Sequence, residues 1–434
     1  MQNKKRLFFL VPAVLLLALV LMAGAAFFGL EYYATSVLKR EIDSHIQEIS
    51  DYVRVDYDSL GVNWLAFTVD LHRVRLRKPP LPGVITIDKV AVRDFTSIGI
   101  RFIPTVVTLD DIAISNEDFK ITLQRLAASF SMSRIPSEDE IDQDWKVLLE
   151  NLLAGEVKLD NVAYSDKETQ VDIGNLKSDY ALAGGNHKNF GLDIHNLKIN
   201  SADLRLASQS LDLAASLDQN NVLNHFSKKV KDLSVQFPPG LAKDNPFLEK
   251  LTALGYNRLT LGVDLSYDYQ PDTKNLNLMW DTSAADMGRL QLDLHLTDYQ
   301  SPPLPVDGSL AKLLNFFEQL QTPAQKASLK GFTARYQDFG LAPRLIKAEA
   351  QAQGQTPEEF TRDLVDAINT SLFLLPLPAL KEQVKSVNRF LLNPKEIRLA
   401  ITCSSPVRLK NLQEGSVTGL LELLGRTEIK ITAK

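Results

Sequence analysis

Six histidines, one cysteine and one crowded run of acids are the side chains with reactive or metal-binding chemistry in this 434-residue chain. His45, His72, His187, His195, His225 and His295 are scattered. A zinc-binding helix needs two histidines one turn apart, whereas His187 and His195 are eight apart. Glu138, Asp139, Glu140, Asp142 and Asp144 supply hard oxygen ligands in type, but their spacing does not follow a calcium loop. They fit the first turns of a helix, where carboxylates meet the positive end of the helix dipole. Asp293 and His295 are an acid–base couple in type. They alternate with leucines, so they read as the solvated face of a strand. Cys403 continues the alternation of Leu399 and Ile401 and reads as a small buried hydrophobe. No phosphate-cradling Gly-Lys-Ser/Thr loop, no Gly-x-Ser-x-Gly elbow and no His-Glu-x-x-His helix occurs. Asn369-Thr370-Ser371 has the form of a glycosylation acceptor but falls inside an expected helix. The residues therefore assign no catalytic group, no metal ligand and no cofactor, and the expectation is a non-enzymatic protein.

The elements that would position any site are mostly strands. From Val53 onward apolar residues recur every second position: Phe67, Val69 and Leu71; Ile85 and Ile87; Val90 and Val92; Val106 to Leu109; Ile112 to Ile114. Asp-Asn and similar polar pairs interrupt these runs and read as turns between short antiparallel strands. The alternation is longest in Leu259, Leu261, Val263, Leu265, Tyr267 and Tyr269. It is answered by Leu276, Leu278 and Trp280, and then by Leu290, Leu292, Leu294 and Leu296, which predicts a three-stranded meander with one apolar face. Helices are expected at 34–50, after Ser137 through Leu153, at 241–255 and at Leu310 to Leu320. Further helices are expected at 341–353, from Thr356 to about Leu375 and from Ala379 to Leu392. Thr356-Pro357-Glu358-Glu359 combines an N-cap, a proline at the first helical position and first-turn acids.

The N-terminus sets location. Lys4-Lys5-Arg6 precedes Leu7 to Leu30, 24 residues without a charged side chain. About 20 apolar residues of helix cross a bilayer core. Two readings fit: an uncleaved anchor ending at Tyr32 and Tyr33, or a signal peptide cleaved near Ala23-Gly24-Ala25. Three of the 48 basic residues precede the run and all 53 acidic ones follow it, so the remainder carries −8. Positive-inside orientation leaves the N-terminus in the cytoplasm and exports the body, and its acidity excludes a nucleic-acid surface. A single cysteine forbids an intramolecular disulfide and suits a Gram-negative periplasm.

The run Leu7 to Leu30, the stretch VDYDSLGVNWLAFTVDLHRVRL (Val55–Leu76) and units such as GEVKLDNVAYSD (Gly155–Asp166) together resemble the AsmA-like group of bacterial envelope proteins. They are also similar to the related YdgA-type proteins. The resemblance covers residues 1–215 and is one of strand grammar. It implies an inner-membrane anchor carrying an elongated, curved periplasmic β-sheet, linked to outer-membrane biogenesis and to movement of lipid between membranes. It carries over no catalytic residues.

The expected fold is α+β. A transmembrane helix comes first, then an antiparallel, β-rich AsmA-like curved sheet, then a C-terminal α+β region. The expected divisions are 1–30 (cytoplasmic tip and span), 31–50 (juxtamembrane helix), 51–237 (β-rich domain), 238–300 (meander) and 301–434 (C-terminal region). The anchor ends are Leu7 and Leu30. A candidate apolar groove comprises Leu259, Leu261, Val263, Leu265, Leu276, Leu278, Leu292 and Leu294. The same face would serve equally as ordinary closed core. Expected partners are the inner-membrane bilayer and a phospholipid or other acyl-chain ligand. The alternative is an assembly factor that holds envelope proteins by an exposed sheet edge.

Overall fold

A computed structural model describes residues 39–40, 42–44, 46–47, 50, 53–63, 68–77, 84–98, 101–115, 118–133, 152–183, 187–202, 204–237, 246–303, 326–373, 378–410 and 425–434. The run Leu7 to Leu30, the acidic cluster 138–144 with its helix, and the expected helix at 310–320 lie outside them. The chain divides into two compact units, residues 1–182 with 190–202, and 183–189 with 203–434.

The first unit is an antiparallel meander. Its strands are β1 (Arg54–Asp56), β2 (Ser59–Asn63), β3 (Thr68–Arg77), β4 (Val84–Ile98), β5 (Arg101–Ser115), β6 (Phe119–Met132), β7 (Leu152–Asp166), β8 (Thr169–Ala183) and most of β9 (His187–Ser201). β1 and β2 share one side of β3, and β4 takes the other. Each strand from β4 to β7 then pairs with the next. The short runs read as separate strands are halves of single long ones. Ile85–Ile87 and Val90–Val92 are both β4, Val106–Leu109 and Ile112–Ile114 are both β5, and Gly155–Asp166 lies wholly in β7. The polar pair between the halves is a local kink. Arg73, Asp111, Asn161 and Asn196 adopt left-handed φ of 53°, 51°, 52° and 55° in the middle of β3, β5, β7 and β9. The register does not shift across them: His72↔Lys89 and Val74↔Ile87 flank Arg73, and Asp160↔Asn175 and Val162↔Ile173 flank Asn161. Asn and Asp tolerate this conformation better than other side chains that carry a Cβ.

Buried apolar residues of β3, β4 and β5 form one core, including Leu71, Val74, Ile87, Val90 and Leu109. A helical stretch lies over it: Ile42 is fully buried there, and the Tyr57 hydroxyl donates to Asp43 Oδ1 at 2.7 Å.

The second unit is also an antiparallel meander: β10 (Arg205–Leu217), β11 (Leu223–Gln236), β12 (Arg258–Gln270), β13 (Asn275–Ala284), β14 (Gly288–Thr297), β15 (Ser328–Asp338), β16 (Glu396–Arg408) and β17 (Thr427–Ala433), each paired with its successor. Helix α1 (Pro246–Ala253) links β11 to β12. Helices α2 (Leu341–Ala352), α3 (Pro357–Phe373) and α4 (Pro378–Leu392) all fall between β15 and β16. Gly255, with φ 88°, closes α1, and the Tyr256 N–H donates back to the Leu251 carbonyl at 2.9 Å.

The α+β expectation is corrected here. Strands hold 66% of the described residues and helices 19%. The C-terminal stretch is not a separate α+β region: β15, β16 and β17 extend the meander, and α2–α4 form one long connection between adjacent strands. The alternations Phe332-Ala334-Tyr336 and Ile397-Leu399-Ile401 are what join that ladder, residue opposite residue. The helices between them are conspicuous in sequence but sit outside the sheet's continuity. The expected transmembrane helix, Leu7 to Leu30, lies outside the described residues; among the described residues no helix is long and apolar enough to cross a membrane.

Candidate functional site

The apolar face of β12–β14 is built by direct cross-strand pairing. Leu265, Trp280 and Leu292 stand opposite one another, and the row continues through Ala334, Leu399 and Ile431. Val263, Thr282 and Leu290 form the next row, continuing to Tyr336 and Ile397. Paired antiparallel residues share a face, so these rows are one floor.

The two ends of the floor are closed. At one end Tyr267, Tyr269, Leu276, Leu296 and Tyr299 form a buried core with Leu217 and Leu329, and Leu278 and Leu294 pack against it. The Tyr299 ring meets Tyr267 and Tyr269 edge-on at 6.4 and 5.7 Å. Burial pushes the phenols of all three tyrosines up, which keeps them neutral. At the other end Leu248, Leu251 and Tyr256 of the α1 region are buried, with Leu259, Met287 and Leu341 against them. Arg344 of α2 stacks over the Tyr256 ring at 4.6 Å. Helix α4 sits on the β16–β17 side, where Phe390 meets Tyr336 at 6.0 Å and Gln383 accepts a hydrogen bond from the Ile431 N–H at 2.5 Å.

Between those closures the floor is open. Trp280 is 47% exposed and Leu290 37%, and Leu261, Val263, Leu265 and Leu292 are half-buried. The eight residues expected to line a groove therefore separate. Leu261, Val263, Leu265 and Leu292 lie on the open floor. Leu259 belongs to the α1 end, and Leu276, Leu278 and Leu294 belong to the tyrosine end. Trp280 and Leu290 were part of the same alternation but were not singled out. A tryptophan half-exposed on an aliphatic sheet face is the strongest signal the site has.

The opposite face is polar. Arg289 pairs with Asp281 and Arg335 with Glu396 at 2.7 Å. His295 Nδ1 lies 2.6 Å from Asn277 Oδ1 and its Nε2 3.2 Å from Asp293 Oδ1, beside a shallow recess of about 430 Å³ lined by Asn277, Gly331, Thr333 and Thr402. His225 Nδ1 lies 2.6 Å from Asp268 Oδ1, while Ser266 donates to the other oxygen at 2.8 Å. Serine and histidine thus share a carboxylate and do not contact each other as nucleophile and base. Cys403 packs against the tyrosine core, and burial raises its thiol pKa, which opposes thiolate chemistry. Among the described residues no group of three His, Cys, Asp or Glu gathers where a metal could bind.

The first unit has an apolar face of its own. Leu71, Val90, Leu109, Leu126, Leu159 and Leu176 form one continuous row across β3–β8, and Val74, Ile87, Ile112, Leu123, Val162 and Ile173 form the next. The first three members of each row are buried and the last three are only half-buried. Val157, in line with this face on β7, is 40% exposed.

Residues 281–434 match a protein-family model whose description reads "Uncharacterized protein". The match takes in β14–β17 and α2–α4. It does not reach Val55–Leu76 or Gly155–Asp166, the stretches on which the AsmA-like resemblance rests. No curated protein matches the chain.

Proposed function

We propose that this chain is a non-enzymatic lipid-binding protein of the bacterial envelope, which holds acyl chain against the open floor of β12–β14 and serves outer-membrane biogenesis or maintenance. The observation that carries the reading is the exposure of Trp280 and Leu290 in the middle of a floor whose two ends are closed. A sheet face destined only for core would be covered there too. Each methylene that leaves water on such a floor contributes about 0.8 kcal/mol. No charged side chain stands in the rows Leu265–Trp280–Leu292 and Val263–Thr282–Leu290, so the floor offers no ion pair to a charged substrate. The uncharged run Leu7 to Leu30 supports an inner-membrane address with the body in the periplasm.

The assembly-factor reading needs an accessible strand edge. β1 and β2 are three and five residues long, and β17 carries α4 against it. Short or covered edges resist strand addition, so no observation favours that reading.

The test is solvent extraction of the full-length protein, purified in mild detergent, followed by lipid mass spectrometry. The expected result is a reproducible, near-stoichiometric acyl lipid that a Trp280→Asp, Leu290→Asp double variant loses. A protein that is repeatedly lipid-free overturns the proposal.

A further inference from the structure

Side chains of α4 hold the backbone of β17 on the side turned away from β16. In an antiparallel ladder the N–H and C=O groups of alternate residues point to alternate sides. The Lys434 N–H donates to the Glu396 carbonyl of β16 at 3.1 Å, so the even-numbered residues of β17 face β16. Thr427, Ile429, Ile431 and Ala433 turn their backbone groups the other way. Two of these outward groups have partners on α4. The Ile431 N–H donates to Gln383 Oε1 at 2.5 Å, and Arg389 Nη1 donates to the Ala433 carbonyl at 3.4 Å. The helix is itself seated: Phe390 meets Tyr336 two strands inward, and Asn388 donates to Asn369 of α3 at 2.8 Å. An amide and a guanidinium thus stand where the backbone of a further strand would stand.

We propose that α4 is a guard on this edge, and that the contact it prevents is antiparallel pairing of β17 with β17 of a second copy of this chain. The order of residues in β17 selects that occupant. A two-fold axis through Ile429 sets outward residues against outward residues: Ile429 against its counterpart, and Ile431 against Thr427. The same axis sets Glu428 against Lys430 twice, once on each side. Both of these side chains are exposed, and opposite charges directly across a ladder stabilise it. Ile431 also ends the row of Leu265, Trp280, Leu292, Ala334 and Leu399, so the pairing would join two apolar floors edge to edge. Such a contact is self-complementary and closes at two copies. An unguarded edge strand is a template for pairing of this kind. The inference concerns assembly and does not depend on what the floor binds.

The test is the protein mass of the full-length chain in mild detergent, by light scattering after size exclusion. A Gln383→Ala, Arg389→Ala double variant should double the mass of the parent. Gln383→Met, which keeps the volume and loses the amide oxygen, should give the same shift and covers the case in which the double variant fails to fold. Ile431→Pro, added to either, removes an outward N–H that β16 does not use and should return the mass to that of the parent. Lys430→Glu, added instead, sets like charges opposite each other and should weaken the dimer at least tenfold, and a further Glu428→Lys should restore it. Folded guard variants that keep the parent's mass overturn the proposal. A dimer indifferent to both Ile431→Pro and Lys430→Glu overturns the β17 pairing.

Discussion

Leu71 and Val74 stand three residues apart in one strand and are both buried in the same core, 1% and 0% exposed, because Arg73 between them takes a left-handed conformation with φ 53°. In a regular strand, residues an odd number apart face opposite ways. The same three-residue spacing recurs at Leu109 and Ile112 around Asp111, and at Leu159 and Val162 around Asn161. The polar pair at mid-strand is thus a structural unit of this sheet.

Asn161 tests that unit. Asn161→Gly should change stability by only a few tenths of a kcal/mol, since glycine accepts positive φ freely. Asn161→Val should cost about 1–2 kcal/mol, because a β-branched side chain is strained in the left-handed region. Urea unfolding of the two variants checks both values. Equal stability of the two would contradict the kink.

Closed and open parts of the apolar rows should answer differently to truncation. Leu71→Ala removes a fully buried side chain and should cost about 2–5 kcal/mol. Leu159→Ala, in the same row but half-exposed, should cost less than half as much. Chemical denaturation of both variants makes the comparison, and similar losses would show that β7 is covered as fully as β3.

The start of α3 was legible in the sequence and is realised atom by atom. The Thr356 N–H donates to Glu359 Oε2 at 2.9 Å, and the Glu359 N–H donates to Thr356 Oγ1 at 3.2 Å, a reciprocal capping box. Thr356→Ala should cost about 1 kcal/mol in thermal or urea unfolding.

Asp281 gives the protein a pH dependence of known sign. Its hydrogen bond from Arg289, with Gln291 adding to it, holds the carboxyl below the usual carboxylate range against the opposing effect of burial. A folded pKa below the unfolded value of about 3.9 means the stabilisation is present above that pH and fades as pH falls through the lower folded value. Asp281→Asn should therefore melt lower than the parent at pH 7, and the gap should close below about pH 4. Thermal melts from pH 7 to pH 3 read this directly.

Strand content, the β12–β14 meander and α1–α4 could be read from alternation and helix period, because each is a local signal. The mid-strand kinks could not. Asp160-Asn161 has the composition of a turn, and only the unshifted ladder on both sides shows that the chain runs straight on. The unity of the C-terminal part was hidden for a related reason: β15 and β16 are neighbours in space but are separated in sequence by three helices. Of the candidate groove, the floor itself was legible. Which leucines close its ends was not, because Leu276 and Leu265 look alike in the alternation and differ only in what Tyr267, Tyr269 and Tyr299 cover.

Trp280 offers the most direct measurement of the central claim. In a Trp64→Phe, Trp145→Phe background it is the sole tryptophan of the chain. Titration with a fatty acid brominated at mid-chain, kept below its micelle concentration, should quench its fluorescence saturably and near one equivalent. Unbrominated palmitate should reverse the quenching by competition. A folded protein whose Trp280 emission is unaffected by the brominated chain, or falls only linearly without saturation, would contradict lipid binding on this floor.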